Sequence, residues 1–448
     1  MLWLICIFAC QGDTSYEPAR ADSLAFWTVE GDGRPFAGEA VFNLGDLDGD
    51  GADELGFVSS SSEEGTPAVL YGLRMGDSLD APFFEIPLPH AQWTIPVGQC
   101  EEPAVPGHRA ILPLGDLDGD GKGELAIADP STTRGTVWIL QGSSWSDPGR
   151  AFIEALRIDG RADVWLFGTD LATGDLNGDG LQDLVVGAPL TGQPARAGEV
   201  WVFSGADLAQ ATGTQDPGDL GSVYKSNRSD TMMGERVQVS PDLSGDGLPD
   251  VIALSPACRD ESASGGVASI PEPLRGPGYE AQQTPADLLP APASVQTGLV
   301  ALGDSDGNGV PEFALPGWSA YGDEGLQVAI FETQGATWED PLTTLQTGEN
   351  SRAQVQSWPV AGRLALLALD SQYVIQVRDP AQSSGWQKLD SVLFPCQGEL
   401  RGDQHRLAPG DYDGDGTLDL AVGVPACKDQ DQGAQVFVFE WPEPVADG

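Results

Sequence analysis

Six times along the chain an aspartate opens a nine-residue stretch with oxygen-bearing side chains at positions 1, 3, 5 and 9. The sets are Asp46, Asp48, Asp50 and Glu54; Asp116, Asp118, Asp120 and Glu124; Asp175, Asn177, Asp179 and Asp183; Asp242, Ser244, Asp246 and Asp250; Asp304, Asp306, Asn308 and Glu312; and Asp411, Asp413, Asp415 and Asp419. Position 6 is always glycine, which permits a sharp turn, and the backbone carbonyl at position 7 (Ala52, Lys122, Leu181, Leu248, Val310, Thr417) adds one more oxygen. Oxygen donors at this spacing suit a hard cation such as Ca²⁺. A single Asp-Gly-rich stretch could equally be a hairpin turn carrying solvated charge. Six copies weigh against that. They hold 21 carboxylates at ligand positions, which repel one another at close range; six Ca²⁺ ions would take the summed charge from −21 to −9. The expected cofactor is therefore about six structural Ca²⁺.

The competing metal loop is the EF-hand, which needs a carboxylate at position 12 and a helix on each side. Here position 12 is Phe57, Ile127, Val186, Ala253, Leu315 or Val422, always apolar. These residues lie in short runs such as Leu184-Val185-Val186-Gly187 and Leu420-Ala421-Val422-Gly423, which read as buried strands. Each acidic loop must then join two strands, and the fold class is all-β.

The run Phe167-Gly168, Gly174-Asp175 through Gly180, Asp183 through Pro189 and Gly198 through Phe203 resembles an FG-GAP repeat. That is the blade unit of the integrin α-subunit β-propeller and of many bacterial surface proteins. The repeat at Asp242 has Met233-Gly234 for Phe-Gly, and the last has Gly423-Val424-Pro425 for Gly-Ala-Pro. The resemblance spans roughly residues 21–442. It implies a propeller of four-stranded antiparallel blades, structural calcium in the loops, and a role in surface adhesion or in binding a protein or glycan.

The first aspartates are 70, 59, 67, 62 and 107 residues apart, so one unit without a metal loop is expected in the last interval. It is placed around residues 362–369 and 373–377, making seven blades, six of them with sites. After the last loop the chain offers too few strands for a blade, and residues 24–29 form a spare strand ahead of the first unit. That strand is expected to complete the last blade and close the ring, removing two open sheet edges.

A charge of −46, from 68 acidic and 22 basic residues, excludes nucleic acid and anionic membrane surfaces as partners. The 40% hydrophobic content rules out a disordered acidic polymer, and 58 Gly with 34 Pro fit many turns. Residues 2–9 are apolar but too short to span a bilayer, and the end at Ala9-Cys10 resembles a bacterial lipobox. Three readings stand for this segment: a lipoprotein signal with Cys10 lipidated, plain secretion, or a wrongly assigned start. On the first, residues 1–10 are a signal, 11–22 a tether, 23–442 the propeller and 443–448 a tail. The protein is then exported, to a bacterial outer membrane as a lipoprotein or to the surface or periplasm, with any membrane contact made through the lipid.

Cys396 and Cys427 fall in one repeat, before its first strand and after its second, and are expected to form a disulfide, two buried thiols being the alternative. Cys100 and Cys258 occupy corresponding places in two other blades, and their pairing stays open, a bond across the face being one alternative. Arg401-Gly402-Asp403 is read as a chance triplet. Three histidines, no phosphate-cradling loop and no Cys/His metal cluster give no catalytic set. The tryptophans, among them Trp93, Trp138, Trp145, Trp318 and Trp386, are expected in the core. The expectation is thus a non-enzymatic, monomeric module with a protein or glycan ligand. The alternatives are an enzyme with its site at the propeller axis, or a structural subunit of an envelope complex. Recognition is expected in residues 92–108, 189–198, 257–266, 396–405 and 426–433, at the end of the blades away from the acidic loops.

Overall fold

The computed structural model describes residues 25–30, 40–59, 68–88, 94–95, 105–106, 111–132, 134–162, 164–191, 196–255, 265–283, 289–291, 299–304, 308–318, 327–332, 343–346, 354–360, 363–369, 375–378, 387–390, 407–424 and 435–440. Cys10, Cys100, Cys258, Cys396, Cys427 and the 401–403 triplet lie outside them, so neither lipidation nor disulfide pairing is addressed by the fold. Among the described residues no helix is long and apolar enough to cross a membrane.

The protein is all-β, built from four-stranded antiparallel units as a β-propeller. Among the described residues there are seven sheets of four or five strands. The first is Ala40–Asn43, Leu55–Ser59, Val69–Leu73 and Phe84–Pro87, taken in chain order. The second is Ile111–Gly115, Glu124–Asp129, Thr136–Leu140 and Leu156–Asp159; the third is Leu171–Gly174, Asp183–Ala188, Glu199–Phe203 and Gly221–Ser226. Arg236–Ser240, Asp250–Ser255, Gly265–Ile270 and Leu289–Ala291 form the fourth, and Val300–Gly303, Glu312–Trp318, Gln327–Glu332 and Thr343–Gln346 the fifth.

The unit expected without a loop is present as the sixth sheet: Gln354–Val360, Arg363–Leu369, Ile375–Arg378 and Gln387–Asp390. In the seventh, Leu407–Gly410, Asp419–Val424 and Gln435–Glu440 are joined by Trp27–Glu30, which pairs antiparallel with Gln435–Glu440 in the register Trp27 to Val438 and Val29 to Val436. The N-terminal strand thus completes the last sheet. The first strands of the seven sheets touch in chain order, and that of the seventh returns to that of the first.

The core lies between sheets. Second strands such as Asp183–Ala188 are buried at every residue, as an apolar run covered on both faces requires. Phe42, Leu70, Phe84, Ile127, Trp138 and Trp145 fill the space between the first and second sheets. Trp27, Val29, Val41, Tyr71, Val436 and Val438 fill that between the seventh and the first. Trp138 and Trp145 are core residues, 6% and 5% exposed. Gly168 shows why the Phe-Gly dipeptide recurs. Its φ is +89°, and a Cβ there would lie 2.9 Å from the Cβ of Ala128 on the second sheet. Phe167 is fully buried beside it, edge-on to Trp201 and Phe203. Met233 fills the corresponding place in the fourth unit, also fully buried.

Two features depart from uniform four-stranded blades. The second and third sheets each gain a fifth, parallel strand, Thr214–Gln215 and Glu280–Gln283. Short helices also follow the third strands, at Gly142–Ser146 and Gly205–Gln210. Neither strand pairing nor a helix of this length leaves a periodic signal long enough to read from sequence.

Candidate metal centres

All six acidic stretches connect the first strand of a sheet to its second, as their apolar position 12 demands; Phe57, Ile127, Val186, Ala253, Leu315 and Val422 lie in the second strands with no exposed surface. The loops share one hydrogen-bond scheme. The position-6 glycines, with φ between +85° and +96°, donate their N–H to Oδ2 of the opening aspartate at 2.7–3.0 Å. In five of the loops the same aspartate's Oδ1 takes the position-5 N–H at 3.0–3.1 Å. Ala52, Lys122, Leu181, Leu248, Val310 and Thr417 donate their N–H to the side-chain oxygen at position 5, on Asp50, Asp120, Asp179, Asp246, Asn308 and Asp415. Asp48, Asp118, Asn177 and Asp413 accept the position-5 N–H through one oxygen. In the fourth loop Ser244 departs from this, its backbone N–H going to Asp250. Asp306 lies outside the described residues, while Asp304 and Asn308 keep the common scheme.

The closing carboxylates are buried: Glu54, Glu124, Asp183, Asp250, Glu312 and Asp419 are each at most 1% exposed. Five of them take the position-2 N–H, from Leu47, Leu117, Leu176, Leu243 and Tyr412, at 2.6–3.1 Å. The second oxygen of Glu124 takes the N–H of Gly142, that of Asp183 the N–H of Gly205 and that of Asp250 the N–H of Glu272. Each donor stands two residues past the third strand, the first two opening short helices whose dipole favours an anion. The equivalent oxygen of Asp419, Oδ1, is buried without a hydrogen-bond partner.

Burial, followed by the charge of the loop aspartates, pushes Glu54 up to about 8. The same causes raise Glu124 to about 7, Asp183 to about 6 and Asp419 to about 7, against the pull of backbone N–H donors. Asp250 is raised for the same reasons. In contrast the half-buried Asp242 is lowered by the backbone N–H of Gly247, and Asp415 by its bond to Thr417. In three loops the carboxylates converge, with one oxygen from each of Asp46, Asp48 and Asp50, of Asp116, Asp118 and Glu124, and of Asp411, Asp413 and Asp419 within 4.8 Å of one another. Donors that are all oxygen, a buried carboxylate oxygen with nothing to bind, and acids held close enough to raise one another fit a hard divalent cation.

Sequence reasoning missed the groups that brace these loops. Asp53, at position 8, accepts from Asn43 at 2.8 Å and from the N–H of Asp411 at 3.0 Å, tying the first loop to the seventh sheet. Arg74, just after the third strand of the first sheet, pairs with Asp48. Nothing in the nine-residue pattern marks either, because both act between segments far apart in the chain.

The FG-GAP repeat model matches residues 167–203 and 405–437, within the third and the seventh sheets. The mouse phosphatidylinositol-glycan-specific phospholipase D is 22% identical over 306 residues, covering 63% of this chain and 33% of that protein. Rat integrin alpha-7 is 36% identical over 110 residues, 22% of this chain and 9% of the integrin. Human integrin alpha-IIb is 29% identical over 241 residues, 49% and 20% respectively. The chain therefore spans a third or less of the length of these relatives. Among solved structures, the crystal structure of BBS1N in complex with ARL6DN, soaked with mercury, superposes with a TM-score of 0.50 at 13% identity, over 93% of this chain and 95% of that one, a likeness of fold alone. Sequence matching the FG-GAP repeat thus lies in the third and seventh units, and the chain is similar over part of its length to integrin α subunits.

Proposed function

We propose that the chain is an exported, seven-bladed propeller whose six acidic loops hold structural Ca²⁺ and whose opposite end binds a protein or glycan at a cell surface. The observation that carries this reading is the division of the sheets into two ends. Every acidic loop joins a first strand to a second, and antiparallel strands reverse direction, so the connections leaving the second strands start at the other end. One end is committed to carboxylates that need a cation. To the other we assign residues 92–108, 189–198, 257–266, 396–405 and 426–433, free to vary on a rigid scaffold. Similarity to integrin α subunits supports a ligand-binding module and an extracellular or surface location rather than an enzyme. Lipidation at Cys10 and a bond between Cys396 and Cys427 belong to the same proposal.

Bound Ca²⁺ would offset part of the charge on Asp46, Asp48, Asp50, Glu54 and their counterparts and supply a partner for Asp419 Oδ1. Chelation should then lower the melting temperature, since an ion bound only by the folded state stabilises it by mass action. The test is a glycan array and a pull-down with the calcium-loaded chain, run beside metal analysis. Replacing residues 192–195 should abolish capture with the melt unchanged, whereas Asp179→Ala should lose one ion and affect capture only as it affects the fold. A footprint on the acidic-loop end, with the opposite connections freely replaceable, would refute the binding assignment. A melt unmoved by complete removal of the ions would refute structural calcium.

A further inference from the structure

The first loop differs from its counterparts in what faces its closing carboxylate. In the second, third and fourth sheets the second oxygen of that carboxylate is held by the backbone N–H of Gly142, Gly205 or Glu272. The residue before each donor is Gln141, Ser204 or Pro271; in the first sheet the residue at this register is Arg74. Its Nε lies 3.9 Å from Glu54 Oε1, and its Nη2 pairs with Asp48 Oδ2. These are the two oxygens left over by the loop's own scheme, since Asp48 Oδ1 takes the N–H of Asp50 and Glu54 Oε2 that of Leu47. They belong to positions 3 and 9, both ligand positions.

The guanidinium is also held from outside the loop. It lies 3.9 Å above the ring of Phe83, and the Arg74 N–H donates to Asp77 Oδ2 at 3.0 Å within a turn closed by Asp77 N–H on the Arg74 carbonyl. Backbone and side chain are thus both positioned. Among the described residues, the ligand carboxylates of the second, third, fourth and seventh-sheet loops form no ion pair with a basic side chain.

We propose that Arg74 is a tethered counter-ion of the first loop, holding in the ion-free state two of the oxygens a divalent cation would take, so that this loop binds its ion more weakly than its own four acidic ligands dictate and the side chain withdraws as it fills. The proposal rests on the reading of these loops as cation sites. With the guanidinium in place the ligand set of this loop is less negative by one charge, and cation affinity in oxygen cages follows the charge of the ligand set. An exposed ion pair together with a cation–π contact is worth enough to lower affinity about tenfold.

The experiment uses the full chain and its Arg74→Gln variant, with Arg74→Lys keeping the charge without the fork. Calcium titration by calorimetry should show one site that strengthens about tenfold from the parent to Arg74→Gln and is intermediate in Arg74→Lys, with the other sites unchanged. The melts should move in opposite senses, Arg74→Gln melting below the parent in EDTA and at or above it in saturating calcium. An equal drop in both conditions with an unchanged titration would make Arg74 a structural staple and overturn the proposal. A parent that metal analysis finds free of ions overturns it too, and is told apart because it removes the cation reading from all six loops.

Discussion

Loading the ion-free protein with calcium should expel protons, and the number follows from the buried closing carboxylates. Glu54, Glu124, Asp183 and Asp419 stand at about 8, 7, 6 and 7 in the folded, ion-free chain, against ordinary values of 4.5 for Glu and 3.8 for Asp. At about pH 6.5 these four groups together hold between two and three protons, roughly, that the unfolded chain has already released. A carboxylate must be ionised to bind a hard cation, so those protons leave as the loops fill. At about pH 9 the four groups are ionised beforehand and the release should fall to about a tenth of a proton. Because the folded-state values are raised, the stability these groups contribute is present below about pH 4 and is lost as pH climbs through about 6 to 8. The ion-free protein therefore weakens across that window, and calcium should flatten the dependence by taking the place of the protons. The assay is calorimetric titration at about pH 6.5 in two buffers of different ionisation enthalpy, whose difference in apparent heat counts protons directly. Heats that match in the two buffers, with binding confirmed, would show that the closing carboxylates are not displaced from a protonated state and would refute the reasoning.

Two substitutions check the ring itself. Trp27→Ala removes a side chain that is 8% exposed between the seventh and first sheets and should cost about 3–5 kcal/mol in urea unfolding; a loss under about 1 kcal/mol would mean that the N-terminal strand does not close the ring. Gly168→Ala puts a methyl group 2.9 Å from the Cβ of Ala128 at a φ of +89° and should cost about 1–3 kcal/mol, read the same way, while a neutral change would remove the packing account of the Phe-Gly dipeptide.

The strands, the loop positions and the closing strand were legible because each rests on a local rule. The turn at Gly51 and its counterparts needs a glycine, and Val186 and Val422 need a buried strand. The unmarked sixth unit was legible in the spacing, and its strand Arg363–Leu369 falls where the interval required one. What was not legible depends on contacts between distant segments. The fifth strand Glu280–Gln283 runs beside Gly221–Ser226 across more than fifty residues of chain, and Lys225 and Arg161 both reach Glu280 to hold it there. The burial that raises Glu54 and Glu124 exists only in the folded chain, so a sequence pattern could name these acids as ligands without showing that their carboxyls are pushed up.

The same distant contacts join the metal loops to the closure of the ring. Asp53 in the first loop donates its N–H to the Asp411 carbonyl at 2.7 Å and accepts the Asp411 N–H on its side chain at 3.0 Å, while Asn43 reaches the Pro409 carbonyl at 2.9 Å. On the other side, Leu47 accepts the N–H of Gly123 from the second loop at 3.2 Å. The seventh, first and second sheets are therefore tied through the loops themselves as well as through the apolar layers between them. The seventh sheet is also where strands from opposite ends of the sheet order, Trp27–Glu30 and Gln435–Glu440, pair, and a ring closed only by strand pairing opens most readily at that seam. A cation that orders Asp411, Asp413 and Asp419 would order the backbone that Asp53 grips, so ion binding at the last loop and retention of the Trp27–Glu30 strand act on one seam.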